Sequence, residues 1–172
     1  MAVGKSTVGR TLARLLKWQF IDLDCEIECR SGLSVRDIFT QQGEARFREM
    51  EAQALRLVVE GAAHATVVAL GGGTFVQPQN ADLLAQAGAH VVFLELPVNE
   101  LLQRCRTTEA RTAHNPRPLA EDEDAFCALY AQRLPFYRQA EMAVNTTDKT
   151  PEQISREIAA SLGLSAYASV SD

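Results

Sequence analysis

A chain of 172 residues, 47% of them apolar and 23% charged, is long enough for one domain with its own core and excludes an intrinsically disordered segment. Its formal net charge of -5 excludes a general attraction to nucleic acid, so an anionic ligand must be met by cations gathered locally. No run of 18 apolar residues occurs, as a membrane-spanning helix would need, and the four cysteines (Cys25, Cys29, Cys105, Cys127) lack a secretory context and are expected as reduced thiols in the cytoplasm.

The chain opens on Gly4-Lys5-Ser6-Thr7, followed by Val8, Leu12, Leu15 and Leu16 at helical spacing, which predicts a helix over Thr7–Lys17. This is the second half of a phosphate-binding loop, in which backbone N–H groups, a lysine and a helix N-terminus cradle nucleotide phosphates. Gly4, Lys5, Ser6 and Thr7 are therefore nucleotide-binding candidates. The full pattern G-x-x-x-x-G-K-[ST] needs a glycine five positions before Gly4 and a strand before that. The first strand is expected to be missing, and the natural chain to extend upstream by about a dozen residues or fewer.

Gln19-Phe20-Ile21-Asp22-Leu23-Asp24 reads as a short strand ending in two carboxylates. Strand alternation would put Asp22 and Asp24 on one side, at the sheet end where ligands bind. Beside a phosphate loop they read as a magnesium-associated acid and a proton acceptor; the alternative is that Asp24 caps the helix around Glu26–Arg30. Gly32 ends that helix, Ser34-Val35-Arg36-Asp37 opens the next in the manner of a capping box, and Gly43 breaks it. The helix that follows carries Arg46 and Arg48, which taken alone read as solvated charges, and turns Leu55, Val58 and Val59 toward a core.

Thr66–Leu70 predicts a strand buried on both faces that runs into Gly71-Gly72-Gly73, where a ligand can approach the backbone closely. A helix around Leu83 and Leu84 follows, then a strand over His90–Leu96 halted at Pro97. The next helix has Val98, Leu101, Leu102 and Cys105 on one stripe and bears Arg104 and Arg106. Residues 107–124 are polar, mixed in charge and interrupted by Pro116 and Pro118, which predicts a mobile lid. Beyond it lie a buried helix with Phe126, Leu129, Tyr130, Arg133 and Leu134, a strand over Met142–Thr146, and a helix with Thr150 as cap, Pro151 at its first position and Gly163 past its end. The tail 164–172 has no periodicity and is expected to be flexible. The alternation predicts an α/β fold with a mainly parallel sheet, helices on both faces and a single domain over 1–172.

These motifs, in this order, resemble the shikimate kinase family: Gly4–Arg10; Phe20–Asp24 with Glu28; Gly43-Glu44 with Phe47, Arg48 and Glu51; Gly71–Gly73; Arg117-Pro118-Leu119; and Arg133-Leu134-Pro135-Phe136-Tyr137. The resemblance implies a P-loop NTPase fold and transfer of the γ-phosphate of ATP to the 3-hydroxyl of shikimate, with Mg2+, in a cytoplasmic monomer that serves aromatic amino-acid biosynthesis. In that role Lys5 would neutralise phosphate oxygens, Ser6 would ligate Mg2+, Asp22 would act on the metal through water, and Asp24 would take the proton of the attacking hydroxyl. Arg48 and Arg133 would hold the shikimate carboxylate with Gly71, Gly72 and Gly73 near the ring, Arg104 would stack on adenine, and Arg117 would arrive with the lid to stabilise transferred charge. Two other readings stay open: a non-catalytic nucleotide- or shikimate-binding relative, and a related small-molecule kinase such as a gluconate kinase.

Overall fold

A computed structural model of the chain describes residues 3–62, 65–111 and 122–164, with the side chains of 107–111 left aside. The elements run α1 (Lys5–Leu16), β1 (Gln19–Asp22), α2 (Leu23–Ser31), α3 (Val35–Gly61), β2 (Thr66–Ala69), α4 (Pro78–Gln86), β3 (Val92–Glu95), α5 (Val98–Arg111), α6 (Glu123–Tyr137), β4 (Met142–Asn145) and α7 (Pro151–Ser161). They fall into two compact units: Lys5–Gly71 with the C-terminal segment from Lys149, and Met1–Gly4 with Gly72–Asp148.

In the first unit β1 and β2 pair in parallel, Gln19 opposite Thr66 through Asp22 opposite Ala69. Two parallel neighbours require a long crossover, which α2 and α3 supply. Helix α1 packs on both strands and on α7. Of its expected apolar stripe, Val8, Leu12 and Leu16 are buried, as the i, i+4, i+8 spacing requires, each side chain contributing about 1.5–3 kcal/mol on leaving water. Leu15, by contrast, is 42% exposed and does not belong to the buried face. Ser155 of α7, itself fully buried, donates its hydroxyl to the Val8 carbonyl at 3.3 Å and to the Pro151 carbonyl at 2.7 Å. Gly9 lets α1 approach the strands, because a Cβ there would stand 2.8 Å from Phe20 Cε2 and 3.6 Å from Val67 Cγ1. Gly9→Ala is therefore expected to lower stability by about 1 kcal/mol in a denaturant titration, overpacking outweighing the gain in helix propensity.

In the second unit β3 and β4 pair in parallel from Val92 opposite Met142 to Glu95 opposite Asn145, with α5 and α6 as the crossover. Leu96, Leu101, Leu102, Cys105 and Phe126 form its core with Val3, and Leu94, Val98, Cys127 and Tyr130 pack around it.

Several local expectations hold: Gly32 caps α2 at φ 69°, Ser34 accepts the Asp37 N–H, Gly43 interrupts α3 at φ 81°, and Thr150 and Gln153 form a reciprocal capping box on α7. Others need correction. Helix α1 starts at Lys5, two residues earlier than its apolar spacing suggests, and stops at Leu16 because Lys17 turns left-handed at φ 58°. Strand β1 stops at Asp22, so Asp24 is helical and strand alternation does not relate the two carboxylates. The cap of α2 is Asp22, and the alternative that made Asp24 the cap is likewise overturned. Thr66, Val67 and Val68 are only half-buried, since among the described residues β2 has a single ladder partner. Helix α6 buries Phe126 alone, against α5, and leaves Leu129, Tyr130 and Leu134 half-buried.

Of the expected lid, the helix α5 continues through Arg111, and Asp122 already caps α6 by accepting the Ala125 N–H. Residues 112–121, with Arg117, lie outside the described residues, as do 165–172 of the tail.

Candidate functional site

Gly4 stands at φ 92°, a conformation that side-chain-bearing residues rarely adopt, although nothing lies within 4 Å of where a Cβ would be. The glycine is thus required by the backbone and not by crowding. The turn it makes delivers Lys5 and Ser6 to the first turn of α1, the end of the helix whose dipole favours a phosphate. Lys5 and Ser6 are half-buried and Thr7 is exposed.

Asp22, at the carboxyl end of β1, uses both of its oxygens. Oδ2 accepts the Ser6 hydroxyl at 2.5 Å and Oδ1 accepts the backbone N–H of Asp24 at 3.2 Å. One carboxylate therefore ties the start of α1 to the start of α2. The Ser6–Asp22 contact places a hydroxyl and a carboxylate oxygen side by side, the hard oxygen donors that Mg2+ takes. Among the described residues no group of three or more His, Cys, Asp and Glu is arranged to hold a metal. A protein hydroxyl, water held by a neighbouring carboxylate, and substrate phosphate make a donor set that Mg2+ accepts, so the residues fit that ion.

Asp24 sits half-buried in the first turn of α2, one residue before Cys25. Burial, then the charges of Asp22, Glu28 and Asp24, raise the Cys25 thiol above its ordinary value against the opposing charge of Arg10. Burial is the largest of these causes, and the three carboxylates add to it.

Arg46 and Arg48 have different fates. Arg46 is exposed and pairs with exposed Glu49, as a solvated charge would. The Arg48 side chain keeps only 17% of its exposure: Nε and Nη2 donate to Glu44 at 3.2 and 2.9 Å, and Nη1 donates to Glu51 at 2.8 Å. Burial opposes its charge, and the hydrogen bonds and charges of Glu51 and then Glu44 outweigh that, holding the guanidinium above its usual value. These bonds use one N–H on each of the three guanidinium nitrogens, of five N–H groups in all.

Glu51 is 0% exposed, and sequence reasoning gave it no role. A signal was present: with Phe47, Ala54, Leu55 and Val58 buried on the same stripe of α3, a carboxylate at position 51 occupies a core position of the i, i+4, i+7 pattern. A fully buried carboxylate needs a cation, and Arg48 lies one turn away.

In the second unit the glycine triplet leads into a turn before α4, with Gly72 half-buried and Gly73 buried, while Gly71 closes the first unit. The Tyr137 hydroxyl donates to the Gly72 carbonyl. Arg133 lies half-buried on α6, four residues before Tyr137, and Arg104 half-buried on α5.

A family model described as shikimate kinase matches residues 1–163. The chain is 39% identical over 162 residues to a shikimate kinase of Geobacter sulfurreducens, covering 92% of this chain and 84% of that protein. With a shikimate kinase of Halorhodospira halophila it shares 41% identity over 167 residues, covering 94% and 89%. Among solved structures, shikimate kinase from Acinetobacter baumannii in complex with shikimate superimposes with a TM-score of 0.83 at 34% identity, covering 95% of this chain and 89% of that one. That likeness confirms the α/β fold expected from the alternation of strands and helices, and the P-loop kinase fold that the resemblance implied.

Proposed function

This chain belongs to the shikimate kinase family, and from that premise we propose that it transfers the γ-phosphate of ATP to the 3-hydroxyl of shikimate, acting as one kinase domain over 1–172, a monomer in the cytoplasm. The observation that carries the reading is the Ser6–Asp22 contact at the head of α1, directly behind the left-handed Gly4. It matches what phosphate binding with a divalent cation asks of a chain: N–H groups, a lysine and paired hard oxygens at a helix N-terminus.

Ser6 would hold Mg2+ directly and Asp22 through water; when bound, the ion supplies charge neutralisation across the phosphates. Lys5 neutralises phosphate oxygens. Asp24 accepts the proton of the shikimate hydroxyl as its oxygen bonds to the γ-phosphorus and the bond to the β-phosphate oxygen breaks, releasing ADP. Arg48 and Arg133 hold the carboxylate, Gly71, Gly72 and Gly73 pass close to the ring, Thr7 and Gly4 line the phosphate turn, and Arg104 stacks on adenine. Arg117 stabilises the charge on the phosphoryl group in transfer.

The reading is tested with purified protein, ATP and Mg2+, following ADP release. Shikimate is expected to stimulate release, gluconate to leave it at the level of ATP alone, and chelation of Mg2+ to abolish it. No stimulation by shikimate overturns the proposed activity; stimulation by gluconate instead overturns the proposed acceptor.

A further inference from the structure

We propose that Tyr137 is a positioning residue for the glycine turn, aiming the Gly73 N–H by holding the Gly72 carbonyl, so that shikimate affinity depends on a hydroxyl 65 residues away in the chain. The tyrosine is itself fixed. Its ring stacks on Phe93 of β3 with centroids 5.3 Å apart and planes inclined by 27°, and its hydroxyl donates to the Gly72 oxygen at 2.5 Å. The Gly72–Gly73 peptide is trans and planar, so the carbonyl of Gly72 and the N–H of Gly73 point to opposite sides of one rigid plate. Fixing the first direction fixes the second.

The far side of the turn is fixed as well. Asn80 of α4, 1% exposed, donates its side-chain amide to the Thr74 carbonyl at 3.0 Å, and the Gln77 N–H reaches the same oxygen at 3.3 Å. Gly73 is therefore held between an anchor from α6 and an anchor from α4. Glycine has no side chain to restrict rotation, so without such anchors two adjacent glycines would sample many peptide orientations and a ligand would have to select one.

Arg133 and Tyr137 are four residues apart on α6 and share a face of it. One helix thus carries a proposed carboxylate-binding cation and the strut for the neighbouring backbone donor. This inference rests on the reading that Gly72 and Gly73 lie against shikimate.

The test is Tyr137→Phe, which removes the hydroxyl and keeps the ring on Phe93. The KM for shikimate, and its Kd measured by calorimetry, are expected to rise by about three- to tenfold, the range one neutral hydrogen bond supports. The kcat and the KM for ATP are expected to stay within about twofold. Unchanged shikimate affinity, or equal losses for both substrates, overturns the proposal. If the unaltered protein shows no response to shikimate, the functional reading fails on its own, and amide exchange followed by NMR still decides the anchor. The Gly73 N–H should exchange faster in Tyr137→Phe, and an unchanged rate overturns it.

Discussion

Asp24→Asn is expected to lower kcat by about 10²- to 10⁴-fold, the range ascribed to a positioned general base, with a small change in the KM for shikimate. The substitution keeps the size of the side chain and its capacity to accept a hydrogen bond from the hydroxyl, and removes its ability to take the proton. The substitution keeps the cap of α2, because that cap is Asp22, which accepts the backbone N–H of residue 24 whatever its side chain. A loss of less than tenfold in kcat would remove Asp24 from the proton transfer. The neighbouring thiol reports separately whether the charge at position 24 is gone. Asp24 is one of three carboxylates that raise Cys25, so Asp24→Asn should speed alkylation of Cys25 at mildly alkaline pH while the helix content stays the same.

Arg48→Ala is expected to act twice, weakening shikimate binding by at least tenfold and lowering stability by about 3 kcal/mol. The second effect follows from Glu51, which is 0% exposed and loses its guanidinium. Breaking a buried pair by removing one partner costs about 3–5 kcal/mol, and the low end applies because the Arg48 side chain keeps 17% exposure. The exposed arm of the triad, to Glu44 at 65% exposure, contributes little. The double variant Arg48→Leu with Glu51→Leu should recover most of the stability, since apolar replacement of a buried pair is often neutral, and none of the binding. Urea unfolding and shikimate calorimetry on the single and double variants separate the two effects. Recovery of binding in the double variant would show that Arg48 does not touch the carboxylate.

The arrangement makes Glu51 as consequential as the arginine. A long cation at the edge of a site loses rotamer freedom when a ligand binds it. Glu44 and Glu51 restrict that freedom for Arg48, so on the proposed reading less of it is lost when shikimate binds.

What could be read from the residues alone was local. Gly4 before a helix, Gly32 and Gly43 at breaks, Ser34 and Thr150 as caps, and the apolar stripe of α1 are all decided by bonds within a few residues, and the structure keeps them. The ordered motifs were equally legible and led to the right family. The identity of each strand survived, but not its edges or burial: the run through Leu23 and Asp24 has the apolar pattern of a strand, yet the Asp22 carboxylate captures the Asp24 N–H and starts a helix there.

Tertiary structure alone decided the couplings. Ser6 meets Asp22 across 16 residues, and Tyr137 meets Gly72 across 65. Periodicity records which face of an element is apolar, and says nothing of which polar atom on another element will lie within 3 Å of it. Arg46 and Arg48 look alike in the sequence, two basic residues in one helical turn. Only the packing of α3 around Glu51 makes one a solvated charge and the other a held guanidinium, because a carboxylate withdrawn from water requires a cation at a fixed place.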